Sequence, residues 1–133
     1  MAHDGYILVV DDETHIVHVV SLKLRNAGYE VRTAGDGEEA LEIASQDPPM
    51  LIITDLQMPY MSGLELCTKL KEQEHTSEIP AFLLTARGYA LEQSDLAKTN
   101  IREMINKPFS PRQILELVGG LLAAEHSGES EAA

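Results

Sequence analysis

The sequence predicts one α/β domain, a doubly wound, five-stranded parallel sheet with helices on both faces. Three observations point there. Tyr6-Ile7-Leu8-Val9-Val10, Leu51-Ile52-Ile53 and Ala81-Phe82-Leu83-Leu84 are short apolar runs without polar alternation, the pattern of strands buried on both faces. Stretches with apolar residues at helical spacing separate them. Polar residues end the runs, with Asp11-Asp12 after the first and Asp55 and Thr85 closing the other two. Open α/β sheets bind ligands beyond the carboxyl ends of their strands.

The first strand stops at Asp11-Asp12-Glu13. A helix follows from about residue 14 to residue 27, with Ile16, Val20 and Leu24 four apart, Val17 and Val19 broadening the stripe and Gly28 as its cap. Residues 30–34 form a second strand. Val31 and Thr33 alternate there with Glu30 and Arg32, which suggests an edge with one wetter face. Gly35-Asp36-Gly37 turns the chain into a short helix over residues 38–46 that buries Ala40, Leu41 and Ala44 and stops at Asp47-Pro48-Pro49. Leu51-Ile52-Ile53-Thr54-Asp55 is the third strand, and Pro59 prevents its continuation. A third helix over residues 64–73 buries Leu66, Cys67 and Leu70. The fourth strand ends at Thr85, and a weaker helix over residues 90–99 carries Leu91 and Leu96. The fifth strand, residues 101–106, ends at Lys107-Pro108. Ser110 caps the last helix, with Pro111 in its first turn and Ile114, Leu117 or Val118, and Leu121 inward. Residues 1–126 form the domain, and residues 127–133 are expected to be a disordered polar tail.

The 133 residues leave room for a single core, and a hydrophobic fraction of 44% suits a globular chain. No apolar run approaches the roughly 20 residues of a membrane span. Met1-Ala2-His3-Asp4-Gly5 lacks a positive n-region, so no signal peptide is expected, and the missing span together with an acidic net charge leaves no membrane partner expected. Cys67 is the sole cysteine, which rules out an internal disulfide and agrees with a reducing cytoplasm. Ten basic against twenty-two acidic side chains give a net charge of −12. Such a surface repels nucleic-acid phosphates, so no direct nucleic-acid binding is expected, and it favours cations and basic partners.

Asp11, Asp12, Asp55, Thr85 and Lys107 all lie at strand ends, and parallel strands bring them to one rim. Taken singly, each has a plain reading: Asp11-Asp12 as a helix-capping pair, Asp55 as a turn residue, Thr85 as a cap, Lys107 as a solvated charge. Together they make a site. Three adjacent carboxylates repel by about 4 kcal/mol per pair at 4 Å and an effective dielectric near 20. Such a cluster calls for a cation, and hard oxygen ligands with room for water suit Mg²⁺. A metal, an ammonium and a hydroxyl converging on a carboxylate are the parts of phosphoryl transfer, with Asp55 as nucleophile and phosphoryl acceptor.

On these residues the chain resembles the receiver domain of two-component response regulators, the CheY-like superfamily, from Tyr6 to about Glu125. The matching stretches are Val9-Val10-Asp11-Asp12-Glu13, Thr33 to Leu41, Asp55-Leu56-Gln57-Met58-Pro59 with Gly63, Leu84-Thr85-Ala86 and Lys107-Pro108-Phe109. The resemblance implies the flavodoxin-like strand order 2-1-3-4-5. It implies that Asp55 takes a phosphoryl group from the phosphohistidine of a histidine kinase or histidine phosphotransfer protein. Asp12, Asp55 and the backbone carbonyl of Gln57 would bind Mg²⁺ directly, and Asp11 through water. Thr85 and Lys107 would hold the phosphoryl oxygens, and the Lys107-Pro108 bond would be cis. The fourth helix, fifth strand and fifth helix would shift on phosphorylation and control binding of a downstream protein.

Two departures bear on readout. Met104 stands where the family usually has an aromatic switch residue, and Asn100-Ile101 replaces a small, Gly-Ala-like stretch. Gln57 and Arg87 occupy positions that tune dephosphorylation in the family. His15 and His18 lie three apart on a predicted helix with no third ligand beside them, and with His3, His75 and His126 they read as exposed or capping residues. Apart from self-phosphorylation and self-dephosphorylation, no enzyme is expected. A small-molecule phosphatase would want an acid at position 57, where Gln57 cannot transfer protons. A nucleotide or flavin site would want a Gly- or hydroxyl-rich loop in place of Asp11-Asp12-Glu13. The remaining alternative is a receiver fold that binds partners without phosphorylation.

Overall fold

The computed structural model describes residues 5–86 and 91–132, with side chains within 5–86 and 91–124. The chain alternates strand and helix: β1 (Ile7–Val10), α1 (Thr14–Asn26), β2 (Val31–Ala34), α2 (Gly37–Gln46), β3 (Leu51–Asp55), α3 (Gly63–Glu72), β4 (Ala81–Thr85), α4 (Gln93–Ala97), β5 (Ile101–Asn106) and α5 (Pro111–Ala132). The five strands form one sheet in the order β2-β1-β3-β4-β5, every pairing parallel. The expected fold class and strand order both hold.

The absence of alternation in the apolar runs has a direct cause. Ile7, Val9, Leu51, Ile53, Phe82, Leu84 and Ile105 pack with Val20 and Leu24 of α1 and Ile114 and Val118 of α5. The intervening Leu8, Val10 and Ile52 pack with Ala40 and Ala44 of α2 and Leu66 and Leu70 of α3. Successive strand side chains point to opposite faces, so each central strand needs an apolar residue at every position. All five residues of β3 and of β4 are buried.

Local chemistry sets the helix starts. The Asp36 carboxylate accepts from Glu39 N–H at 2.8 Å to cap α2. Ser62 and Glu65 form a reciprocal capping box on α3. Ser110 Oγ accepts from Gln113 N–H at 3.0 Å at the head of α5. Gly28, at φ 101°, ends α1 in the left-handed conformation that glycine adopts freely.

Several elements differ from expectation. β2 is an edge strand, yet Thr33 is exposed and Ala34 buried, so its ends rather than its alternate residues face the core. β5 is the other edge, as the expected order requires, and only Ile105 in it is buried. α4 has five residues, and its Leu96 is 43% exposed. Met104 is partly buried opposite Leu83. Asn100 accepts from Lys71 Nζ at 2.9 Å and donates to the Ser77 carbonyl, which pins the entry to β5. α5 runs from Pro111 to Ala132.

Candidate functional site

The rim of the sheet is assembled by strand ends. Asp11 follows β1, and its N–H donates to the Ala34 carbonyl at 3.3 Å, which carries the chain past the strand in register with β2. Its Oδ1 accepts from Glu13 N–H at 2.9 Å at the head of α1. Its Oδ2 is buried without a hydrogen-bond partner. Asp55 is the last residue of β3 and is 4% exposed, while Asp12 faces solvent. Asp11, Asp12 and Asp55 each offer a carboxylate oxygen within 4.8 Å of the others. An orphaned buried oxygen within a set of three hard ligands fits Mg²⁺.

Lys107 follows the edge strand β5 and reaches back over β4. Its Nζ lies 2.7 Å from Asp55 Oδ1 and 3.9 Å from Glu13 Oε1. The reach depends on the strand-end geometry, where Lys107 N–H donates to the Thr85 carbonyl at 2.8 Å. The Lys107–Pro108 bond is cis, as the resemblance implied. Thr85 is buried at the end of β4, and its hydroxyl donates to Asn106 Oδ1 at 3.0 Å.

Burial dominates the electrostatics of Asp11 and Asp55. It pushes the Asp11 carboxyl up to about 6, against the Glu13 N–H bond that lowers it and with the Asp55 charge adding to the rise. Burial also raises Asp55, offset in part by the hydrogen bond and charge of Lys107. Burial alone would lower Lys107, but the Asp55 bond and the charges of Asp55, Asp11 and Glu13 outweigh it and the ammonium is held more firmly charged.

The loop after β3 is set by one glycine. A Cβ on Gly63 would lie 2.2 Å from the Asp55 carbonyl oxygen and 3.0 Å from a Leu83 methyl. Gly63 N–H donates to the Leu56 carbonyl at 2.9 Å. The start of α3 therefore rests directly against the backbone of Asp55. Gln57 is exposed in this loop, and Tyr60, 98% exposed, holds φ 69°. Beside Lys107 an apolar groove of about 600 Å³ opens between the head of α1 and the β5–α5 connection, lined in part by His15, Ile16, Pro108 and Phe109.

A family model described as the response regulator receiver domain matches residues 7–119. The chain belongs to that family. This receiver domain is 38% identical over 116 residues to the alkaline phosphatase synthesis transcriptional regulatory protein PhoP of Bacillus subtilis, covering 87% of this chain and 48% of PhoP. It is 35% identical over 129 residues to the DNA-binding dual master transcriptional regulator RpaA of Synechocystis, covering 91% of this chain and 54% of RpaA. The structure of the Vibrio cholerae chemotaxis protein CheY4 superposes with a TM-score of 0.78 at 33% identity, over 86% of this chain and 96% of that one. The receiver domain spans about half the length of the curated relatives it matches.

One expectation is overturned here. Nucleic acid was excluded from the partners on the strength of the net charge, yet RpaA is a DNA-binding protein and PhoP a transcriptional regulator. A charge of −12 describes the surface of these 133 residues and says nothing of the length beyond the match.

The structure brings Asp11, Asp12, Asp55 and Lys107 together. It places Thr85 at the same rim with its hydroxyl turned to Asn106. Met104 lies apart on β5, and Arg87 falls outside the described residues. His15, His18 and His75 are exposed, with the His75 ring hydrogen-bonded to the Ser45 carbonyl, while His3 and His126 fall outside the described side chains. Sequence reasoning passed over Glu13 and Asn106. Glu13 was visible only as an acid at a helix start, and Asn106 only as the end of a strand. Receiver domains are signalling modules rather than classical enzymes, and no helix among the described residues is long and apolar enough to cross a membrane.

Proposed function

We propose that this receiver domain is a cytoplasmic phosphoacceptor of a two-component or phosphorelay system. Asp55 takes the phosphoryl group from the phosphohistidine of a histidine kinase or a histidine phosphotransfer protein. The observation that carries the reading is the 2.7 Å contact of Lys107 with Asp55 inside a three-carboxylate cluster. An O–P bond forms to the Asp55 carboxylate as the donor's N–P bond breaks, and the leaving imidazole keeps the electron pair and takes up a proton.

Asp11, Asp12 and Asp55, with the Gln57 carbonyl, would hold Mg²⁺. When bound, the ion supplies positive charge against the clustered carboxylates and the equatorial phosphoryl oxygens. Lys107 orients the Asp55 carboxylate and then meets a phosphoryl oxygen, and Thr85 donates to another. The apolar groove beside Lys107 suits a protein donor, because covering it excludes water from the transfer.

The charge added at Asp55 biases the face of α4, β5 and α5, with Met104 in the switch position, and changes which protein binds there. Transcriptional regulators among the relatives support gene expression as an output that such a switch would serve.

The test is intact mass after incubation with a small acyl phosphate donor, with and without Mg²⁺, for wild type and Asp55→Asn. A Mg²⁺-dependent gain of one phosphoryl group, absent in the variant, is expected. No gain under any condition would leave a receiver fold that binds partners unphosphorylated.

A further inference from the structure

Thr85 and Asn106 are the last register pair between β4 and β5. Residues directly opposite each other in a sheet project to the same face, so the two side chains meet. The Thr85 residue is 1% exposed, and its hydroxyl donates to Asn106 Oδ1 at 3.0 Å. Asn106 itself faces solvent. The Lys107 N–H bond to the Thr85 carbonyl, 2.8 Å long, holds the two strand ends in this register.

A threonine hydroxyl has one proton to donate. While Asn106 Oδ1 accepts it, that proton is withheld from any group on Asp55. We propose that Asn106 is a positioning residue acting through Thr85: its amide oxygen competes with the phosphoryl group for the single Thr85 proton and so sets how readily the site accepts phosphoryl. The inference rests on Asp55 being the acceptor.

The competition has a definite direction. An anionic phosphoryl oxygen is the stronger acceptor, so the hydroxyl leaves Asn106 once the phosphoryl group is in place. Breaking the neutral bond opposes that step. A neutral hydrogen bond of ordinary net worth corresponds to about a two- to ten-fold change in affinity. Met104 lies two residues before Asn106 on the same face of β5, opposite Leu83, so the strand that carries the competing amide also carries the residue in the switch position.

The test uses beryllofluoride, an inorganic phosphoryl mimic, with Mg²⁺, and reads its affinity by ¹⁹F NMR. Wild type, Asp55→Asn, Asn106→Ala, Asn106→Val, Thr85→Val and the double variant Asn106→Ala/Thr85→Val are compared. Asn106→Val keeps a strand-favouring residue in case the alanine variant is poorly folded. Both Asn106 variants should bind about two- to ten-fold tighter than wild type. Thr85→Val should bind more weakly, and adding Asn106→Ala to it should change nothing. Equal affinity of wild type and both Asn106 variants would overturn the inference while the acceptor reading stands. An Asn106→Ala effect that persists without the Thr85 hydroxyl would assign the residue a merely structural role. Wild type that binds no better than Asp55→Asn would overturn the inference and the acceptor reading together.

Discussion

Lys107 Nζ lies 2.7 Å from Asp55 Oδ1, so a residue at the end of an edge strand neutralises the buried acid at the end of a central one. Removing the ammonium leaves Asp55 buried among like charges. Lys107→Met should therefore destabilise the metal-free protein at pH 7 by on the order of 2 kcal/mol, a figure reduced for the partial exposure of the lysine. Urea unfolding with a chelator present measures this. Added Mg²⁺ should narrow the gap, because a cation then stands in for part of the lost charge.

Asp11 and Asp55 make the metal-free fold less stable as pH rises. The Asp11 carboxyl is raised from 3.8 to about 6, so between those values the folded chain keeps a proton that the unfolded chain has released. Asp55 is raised as well and acts in the same direction. Lys107 stays charged throughout and contributes no slope in this window. Stability should fall as pH increases from about 4 to above 6, by on the order of 2–3 kcal/mol from Asp11 alone. Chemical unfolding across that range in a chelator should show the decline, and a flat or rising profile would contradict it.

Asp11→Asn separates folding from metal binding. The amide keeps an acceptor for Glu13 N–H and removes one of the three charges. The metal-free variant should be more stable than wild type at pH 7 by about 1–3 kcal/mol and should lose most of the pH slope. Its Mg²⁺ affinity by titration calorimetry should drop at least about ten-fold.

Gly63 is where the loop after β3 touches the acceptor strand. With only 2.2 Å between a Cβ and the Asp55 carbonyl oxygen, Gly63→Ala must push the two backbones apart. A loss of about 3 kcal/mol is expected, with slower phosphoryl uptake because Asp55 moves relative to Lys107. Thermal unfolding and the acyl phosphate assay read the two effects separately.

The central sheet was legible because burial on two faces leaves no room for polar residues. Leu51-Ile52-Ile53 and Ala81-Phe82-Leu83-Leu84 announce β3 and β4 for that reason. The edges were less legible. β2 was read from the alternation of Val31 and Thr33, but the helices cover its end residues Val31 and Ala34 instead. A four-residue strand is too short for periodicity to decide which side chains a neighbouring helix will cover. The short α4 was read as longer because apolar spacing at Leu91 and Leu96 does not tell a helix from a loop with scattered apolar residues.

The order of residues along the chain was enough to place the rim. Parallel strands all end on one edge, so Asp11, Asp12, Asp55, Thr85 and Lys107 had to be neighbours once the five strands were recognised. Which atom meets which follows from the packed geometry. Lys107 takes Asp55 Oδ1, Thr85 takes Asn106 Oδ1, and Asp11 Oδ2 takes no partner. Patterns of period 2 and 3.6 place a side chain on a face of an element, whereas a hydrogen bond depends on register and rotamer to a fraction of an ångström.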